Sequence, residues 1–372
     1  MDLRKNKRNQ EMDTDQYTSR RDKRSGGKFK KYAAIFGKSL VIILLLAILS
    51  GIIFFVKGLM DTNEFLNKSY TPRETTKVQN ETIDVQKDPI SILLLGLDDN
   101  SERELGSART DSMLLLTLNP TTEKVNMVSI PRDTYVHIQT KDFDGYDKIN
   151  SAFVYGGIEG TIDTVENLMN VPINYYATLD FQAFEDIVDA VGGIEMDVPF
   201  TLTEQNSKGQ KVVDLKEGRH TLNGEEALAF ARTRYIDNDI ERGKRQQQVL
   251  EATAQKAMDI GTIAKYKRIL EALDGHITTD MPSNKILSVA QSGLTKNYSF
   301  ESYVFDWMSF DYLSDGNMVG LNQDSLDYIS HRLRYSLELD EADERDAEGY
   351  EFQTDGLVSP TTFPQDGMAI IN

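Results

Sequence analysis

The chain has no cysteine anywhere in its 372 residues. Disulfide frameworks, thiolate zinc sites and cysteine nucleophiles are therefore excluded. Histidine is scarce as well: there are four, His137, His220, His276 and His331, and no two have the spacing of a paired metal motif such as H-E-x-x-H. Chemistry must come from Asp, Glu, Arg, Lys, Ser, Thr or Tyr. Positive charge is the minority sign, with 41 Lys and Arg against 59 Asp and Glu and a net charge of −18. Against that balance the stretch "FARTRYIDNDIERGKRQQQ", residues 230–248, gathers Arg232, Arg234, Arg242, Lys244 and Arg245. A basic cluster on an acidic chain points to a specific anionic partner.

Long apolar runs are also rare, and the one present is informative. "SLVIILLLAILSGIIFFV", Ser39–Val56, carries no charge over eighteen residues, near the lower limit for crossing a hydrocarbon core. Apolar residues up to Met60 extend it past Lys57, which can snorkel to an interface. Residues 1–38 hold 12 Lys and Arg against 5 Asp and Glu, net +7, which leaves −25 for the rest. Short basic flanks stay in the cytoplasm, so the expected topology is a cytoplasmic tail (1–38), a transmembrane helix (39–60) and an acidic domain outside the cell. The long basic leader and the lack of an A-x-A site argue against a cleaved signal peptide. The expected location is the cell membrane, single-pass, with the N-terminus inside.

Beyond the span, residues 61–88 lack a sustained apolar pattern and read as a stalk. A domain starts at "PISILLLG" (89–96), an apolar run closed by glycine and typical of a strand buried on both faces. "SMLLLTLN" (112–119) and "KVNMVSI" (124–130) read as two further strands, joined by the turn "PTTE". Helical spacing over 158–170, a strand at "NYYATLD" and a helix at "FQAFEDIVDAV" closed by Gly192-Gly193 follow. "GEEALAFARTR", "ERGKRQQQVLEATAQKAM", "KYKRILEALDG" and "SNKILSVAQSGL" read as helices. Strands alternating with helices predict an α/β layered fold about a central sheet. The expected domain runs over 89–300. A C-terminal extension, 301–372, becomes an acidic mobile tail from about Glu338.

Several polar residues sit at strand ends, where ligands bind in open α/β sheets. Asp98 and Asp99 follow the first strand, and Arg109-Thr110-Asp111 precedes the second. Two such carboxylates can converge on a hard divalent cation, or simply start turns. Arg132, after "SIP", ends the third strand, and Lys148 precedes a short helix; a local Arg132–Asp133 pair and a solvated lysine are the plain readings of these two. The arginine cluster is stronger. Arg232 and Arg234 close one helix, while Arg242 and Arg245 share a face of the next with Gln246. Guanidinium forks pair bidentately with phosphate oxygens. Asp237 and Asp239 lie between them and either orient or neutralise the arginines.

Taken in order, "LLLGLDDNSERELGSARTDSMLLLTLNP", "VSIPRDTYVHI", "KINSAF", "IVDAVGGIEMDV", "LNGEEALAFARTR" and "DNDIERGKRQQ" resemble the LytR-CpsA-Psr family of membrane-anchored cell-wall assembly enzymes of Gram-positive bacteria. The likeness covers about residues 89–260 and weakens to about 295. The resemblance implies a central mixed β-sheet between helices, with an apolar pocket for a lipid tail. It implies a phosphotransferase that moves a glycopolymer, such as teichoic acid or capsule, from undecaprenyl pyrophosphate to a peptidoglycan glycan strand. It assigns a metal ion, Mg²⁺ or Mn²⁺, to Asp98 and Asp111. It assigns pyrophosphate contacts to Arg109, Arg132, Lys148, Arg232, Arg234, Arg242, Arg245 and Gln246. Asp98, Asp111 and Arg132 are the catalytic candidates, with either aspartate as general base. Asp99-Asn100 departs from the Ser-Arg found in many relatives. The alternatives are a non-catalytic polyprenyl-phosphate binder or envelope regulator, and a pyrophosphate hydrolase. A nucleic-acid partner is opposed by the acidic domain and by a basic cluster on the exported side.

Overall fold

The computed structural model describes residues 69–73, 82–97, 110–205, 212–233, 239–257, 276–296, 298–312, 316–347, 349–352 and 357–364. Apolar residues that alternate along successive strands build its centre. β1 (Ile90–Leu97) pairs antiparallel with β2 (Thr110–Asn119), which pairs antiparallel with β3 (Lys124–Ile130). Further along the chain come the hairpin β4 (Tyr135–Gln139) and β5 (Asp144–Lys148), α1 (Ala152–Met169) and β6 (Tyr175–Asp180). α2 (Phe181–Val191) follows, then β7 (Ile194–Val198), β8 (Leu202–Gln205), β9 (Val212–Leu215) and β10 (Gly218–Leu222). α3 (Gly224–Arg232) and α4 (Asp239–Ala257) carry the arginine cluster. The chain closes with β11 (Ile277–Thr279), α5 (Ser283–Thr295), β12 (Ser299–Tyr303), β13 (Trp307–Asp311), β14 (Asn317–Leu321) and α6 (Gln323–Ser336).

The six-stranded sheet has the order β11-β6-β1-β2-β3-β12 and is mixed. β1–β6 and β3–β12 are parallel, and β6–β11, β1–β2 and β2–β3 are antiparallel. Period-two alternation sends Leu93, Leu95, Met113, Leu115 and Val128 to one face, where Ile162, Val165 and Met169 of α1 and Ile329 and Leu333 of α6 cover them. Ile90, Ile92, Leu116, Leu118 and Met127 face the other way, towards Ile286 and Val289 of α5. A third cluster joins α2, α3 and β7–β10 through Ile187, Val191, Ile194, Leu222 and Phe230. The central mixed sheet between helices thus matches the expectation.

Two expected boundaries move. The supposed stalk is tied to the sheet edge at 69–73: Arg73 Nε donates to Asp280 at 2.5 Å and its terminal nitrogen to the Asn174 carbonyl at 2.6 Å. Thr71 N–H donates to the Thr279 carbonyl, and Val85 is buried in the second core. Nor is 301–372 an appendage, because Phe305, Val319, Leu321, Leu326 and Leu337 belong to the main core.

The acidic segment after Glu338, expected to be mobile, is held by ion pairs over 340–346. Arg334 pairs with Asp340, Arg332 with Asp346 at 2.5 Å, Arg345 with Asp343, and buried His331 lies against all three aspartates. Composition read it as solvated; α6 supplies compensating cations every few residues. The expected span at 39–60 and the helix at 265–275 lie outside the described residues. Among the described residues no helix is long and apolar enough to cross a membrane.

Candidate functional site

The site forms at one edge of the sheet, where β1, β6, β3 and β12 reach their C-terminal ends and β2 begins. β2 does not begin regularly. Gly96 pairs with Ser112 and Leu97 with Thr110, so Asp111 is the extra residue of a β-bulge. Bulges bend a strand and re-aim side chains next to active sites. The bulge sets the backbone of Asp111 beside the point where the chain leaves β1 for Asp98. Thr110 Oγ1, next to it, is buried without a hydrogen-bond partner among the described residues. The buried Thr110 hydroxyl is an oxygen donor of the kind that a hard divalent cation takes while keeping part of its water. Asp98, Asp99, Arg109 and Arg234 lie outside the described residues, as does the side chain of Asp111.

Two adjoining cavities occupy this edge. The larger, about 230 Å³, lies between the sheet face and helices α2 to α5, and is lined largely by apolar side chains such as Ile92, Leu94, Leu114, Phe184, Leu228 and Ile286. Asp180 and Arg232 stand on its wall. Arg232, the last residue of α3, lies over the ring of Phe181 at 4.4 Å, a cation–π contact that fixes its direction. The smaller cavity, about 20 Å³, is bounded by Ile130, Pro131, Arg242, Phe305 and Trp307. Ser112, Ser129, Gly243 and Gln246 line both. Ser112 Oγ donates to Gln246 Oε1 at 3.1 Å, which holds the glutamine in this shared wall. Gly243 is there because α4 passes close to β3: a Cβ on it would stand 3.2 Å from Ser129 Oγ.

The predicted arginines separate into distinct roles. Arg242 is buried and lines the small cavity. Arg245 is buried too, but lines neither cavity: its Nε donates to the Phe230 carbonyl at 3.1 Å and a terminal nitrogen to the Thr233 carbonyl at 2.7 Å. It closes the C-terminus of α3, where carbonyls lack helical partners, and lies over the rings of Phe200 and Phe230. The expectation that it faces phosphate with Arg242 is therefore corrected. Lys244 is exposed and paired with Glu241 at 2.7 Å. Lys148 pairs with Asp133 at 3.2 Å, and Arg132 reaches the same carboxylate at 3.7 Å. One aspartate thus holds together two cations that are distant in sequence.

Ser112, Ser129, Gly243 and Trp307 were not singled out from sequence. Small residues carry no charge signal, and Trp307 lies past the stretch where motifs were legible. Elsewhere, donor atoms of His331, Asp343 and Asp346 lie within 4.8 Å of one another. Asp346 and Asp343 are already neutralised by Arg332 and Arg345, so this group reads as an ion-pair lock rather than a cation site.

Residues 53–334 match the model of the LytR_cpsA_psr family. The chain is 38% identical over 225 residues, 59% of its length, to the polyisoprenyl-teichoic acid–peptidoglycan teichoic acid transferase TagV of Bacillus subtilis; the match spans 57% of that relative. It is 33% identical over 268 residues to the transferase TagU of the same activity from Enterococcus faecalis, covering 72% of this chain and 84% of the relative. Among solved structures, a LytR-CPS2A-psr family protein, YwtF (TagT), with bound octaprenyl pyrophosphate lipid superposes with a TM-score of 0.55. The sequences are 30% identical, and the superposition covers 73% of this chain and 99% of that one.

Proposed function

The chain belongs to the LytR_cpsA_psr family, and on that premise we propose that it is a phosphotransferase acting on a polyprenyl-diphosphate-linked glycopolymer. The observation that carries this is the shared wall of the two cavities. An apolar chamber shares Ser112, Ser129, Gly243 and Gln246 as a wall with a crevice that a buried arginine lines. Such a junction fits a ligand with a hydrocarbon tail and an anionic head. The names of the relatives supply the polymer class, teichoic acid, and the acceptor, peptidoglycan.

In this reading the acceptor hydroxyl oxygen attacks the phosphorus next to the sugar. A new phosphodiester forms, the hydroxyl proton passes to Asp98 or Asp111 as general base, the bond to the lipid-bearing phosphate breaks, and polyprenyl phosphate leaves with the electron pair. Phosphoryl transfer demands positioning and charge stabilisation more than covalent work. Arg242 and Arg232 grip the diphosphate, and Gln246, fixed by Ser112, orients it. Arg132 and Lys148, gathered by Asp133, add positive charge at the end of β3. Asp98 and Asp111 are the residues that would hold Mg²⁺ or Mn²⁺, whose chemistry is to neutralise diphosphate oxygens. The apolar run at 39–60 would anchor the enzyme with this domain outside the cell, where the carrier, taken as undecaprenyl, presents its cargo.

The test is turnover. Full-length protein in detergent is incubated with a synthetic prenyl-diphosphate-linked saccharide and a peptidoglycan oligosaccharide, and the products are read by mass spectrometry. A mass for the two glycans joined through one phosphate is expected. Free sugar phosphate alone would instead establish a hydrolase, and unchanged donor with retained lipid binding would establish a non-catalytic binder.

A further inference from the structure

The hairpin β4–β5 presents two unlike faces. Period-two alternation sends Val136 and Ile138 into the main core. Tyr135, His137 and Gln139 take the other face, opposite Lys148, Tyr146 and Asp144 in that order. Tyr146 is 49% exposed, and its ring is buttressed from below. It stacks on buried Tyr135 with centroids 5.1 Å apart and planes within 15°. Tyr135 is wedged in turn against Phe310 of β13 and Tyr312 just beyond it. At the rim stands exposed His137, its ring 5.1 Å from that of Tyr146 and its Nε2 2.8 Å from Asp144 Oδ1.

A single exposed aromatic residue is ordinary, but this one has a fixed relation to the candidate site. Lys148 lies on the same face, two residues and about 7 Å along the strand from Tyr146. Its ammonium reaches Asp133, which also gathers Arg132. The base of the hairpin is fastened to that segment by backbone bonds. Ile149 N–H donates to the Thr134 carbonyl at 2.8 Å, Asn150 N–H to the Arg132 carbonyl at 3.2 Å and Val319 N–H to the Asp133 carbonyl at 2.9 Å. The platform therefore continues directly from the basic residues assigned to the reacting phosphate.

The chemistry of ring and rim selects the occupant. An aromatic face is electronegative and suits the C–H face of a pyranose, while imidazole and carboxylate at the rim pair with sugar hydroxyls. Charge then discriminates between the two substrates. From 136 to 147 the hairpin carries Asp142, Asp144 and Asp147 against Lys141. A phosphate-linked polymer is repelled there, whereas an uncharged sugar backbone is not. We propose that the outer face of β4–β5 is a subsite for the acceptor glycan, with Tyr146 stacking on a sugar next to the one that receives the phosphate. This rests on the function proposed above and deepens it by placing the acceptor strand.

Binding and transfer are measured separately on full-length protein in detergent. Calorimetric titration uses a peptide-free peptidoglycan oligosaccharide and, in a second series, a glycerol-phosphate oligomer as probe of the donor polymer. The wild-type protein binds the oligosaccharide. Tyr146→Ala weakens it about tenfold and Tyr146→Phe, which keeps the ring, recovers most of the loss. His137→Ala, at the rim, costs about threefold. Tyr335→Ala, which removes a comparably exposed ring from α6, has no effect. In the transfer assay Tyr146→Ala raises the acceptor KM about tenfold and leaves the KM of the prenyl-diphosphate donor as it is. A wild-type protein that binds prenyl diphosphate but no oligosaccharide overturns the inference without touching the lipid-diphosphate reading, and this result needs no variant. Undiminished oligosaccharide affinity in folded Tyr146→Ala also overturns it. Weakened binding of the glycerol-phosphate oligomer instead gives the platform to the donor polymer and overturns it as well. Oligosaccharide held through Tyr146 with no transfer of any donor leaves the subsite standing while the proposed function falls.

Discussion

Gly243→Ala is expected to separate stability from function. Gly243 lies inside α4, where alanine is preferred over glycine by about 1 kcal/mol. Opposing this, the added methyl carbon would stand 3.2 Å from Ser129 Oγ and 3.4 Å from Ser129 Cβ. That is a few tenths of an ångström too close to a short side chain, so a slight outward movement of α4 relieves it. The two terms are of similar size and opposite sign, and the melting temperature should move by no more than about 4 °C. Function has no such compensation. The methyl enters the wall common to both cavities, in the passage assigned to the joint between lipid tail and diphosphate. Prenyl-diphosphate affinity should fall at least tenfold, with transfer falling in step. Calorimetric titration and a thermal melt on the same preparation check both halves. Unchanged affinity would refute the idea that this passage is shaped for ligand. A melt lowered by 10 °C or more would show the glycine to be required for packing alone.

The arginine cluster yields a three-way contrast. Arg242→Lys should slow transfer by about 10²-fold, because a point charge cannot reproduce a fork on phosphate oxygens, whereas Lys244→Ala, on the exposed face, should leave the rate as it is. Arg245→Ala should behave differently from both: it leaves carbonyls of α3 unpaired in a buried setting, at a cost of about 2–4 kcal/mol, so denaturant unfolding reports the loss while the rate per folded molecule stays near normal. Within β12, burial alone would raise the Glu301 carboxyl. The hydrogen bonds from Tyr303, Lys124 and Arg332 outweigh it and hold the group at about 2. A depressed carboxylate stabilises the fold above its unfolded value, near 4.5, and that contribution disappears as pH falls through about 2. Acid titration by circular dichroism should therefore show a loss between about pH 4.5 and 2 that Arg332→Gln makes smaller.

What was legible in the sequence follows from which physical signals are local. β1, β3 and α2 were readable nearly to the residue, because their apolar runs and glycine stops are properties of the segment itself. The bulge at Asp111 was not, since it exists only as a mismatch of register between Gly96–Leu97 and Thr110–Ser112. The ties of Arg73 to Asp280 and of Lys296 to the Pro120 carbonyl span more than 170 residues, so polar segments that look like linkers in isolation are fixed to the sheet. The acidic run after Glu338 was misread for a related reason. Composition counts its charges, whereas only the fold shows that Arg332, Arg334 and His331 of α6 face them.

The arginines show how far spacing alone can carry a site. On a helix with about 100° per residue, Arg242 and Gln246 lie about 40° apart, and Arg242 and Arg245 about 60° apart. Both separations count as one face in a sequence reading. At the site those few tens of degrees decide between two surroundings. One side of the turn meets β2 and β3, where Ser112 and Ser129 are small enough to leave a crevice, and Arg242 and Gln246 stand there. The other side meets the end of α3, where Arg245 pairs with the carbonyls of Phe230 and Thr233. Lys244, about 200° from Arg242, faces solvent. The same two turns of helix thus contribute a cavity-lining guanidinium, a helix cap and a surface charge. A count of basic residues cannot separate these roles. What separates them is which neighbouring element leaves space and which leaves unpaired carbonyls, and for that reason Arg242 stands at the cavity while Arg245 holds the end of α3.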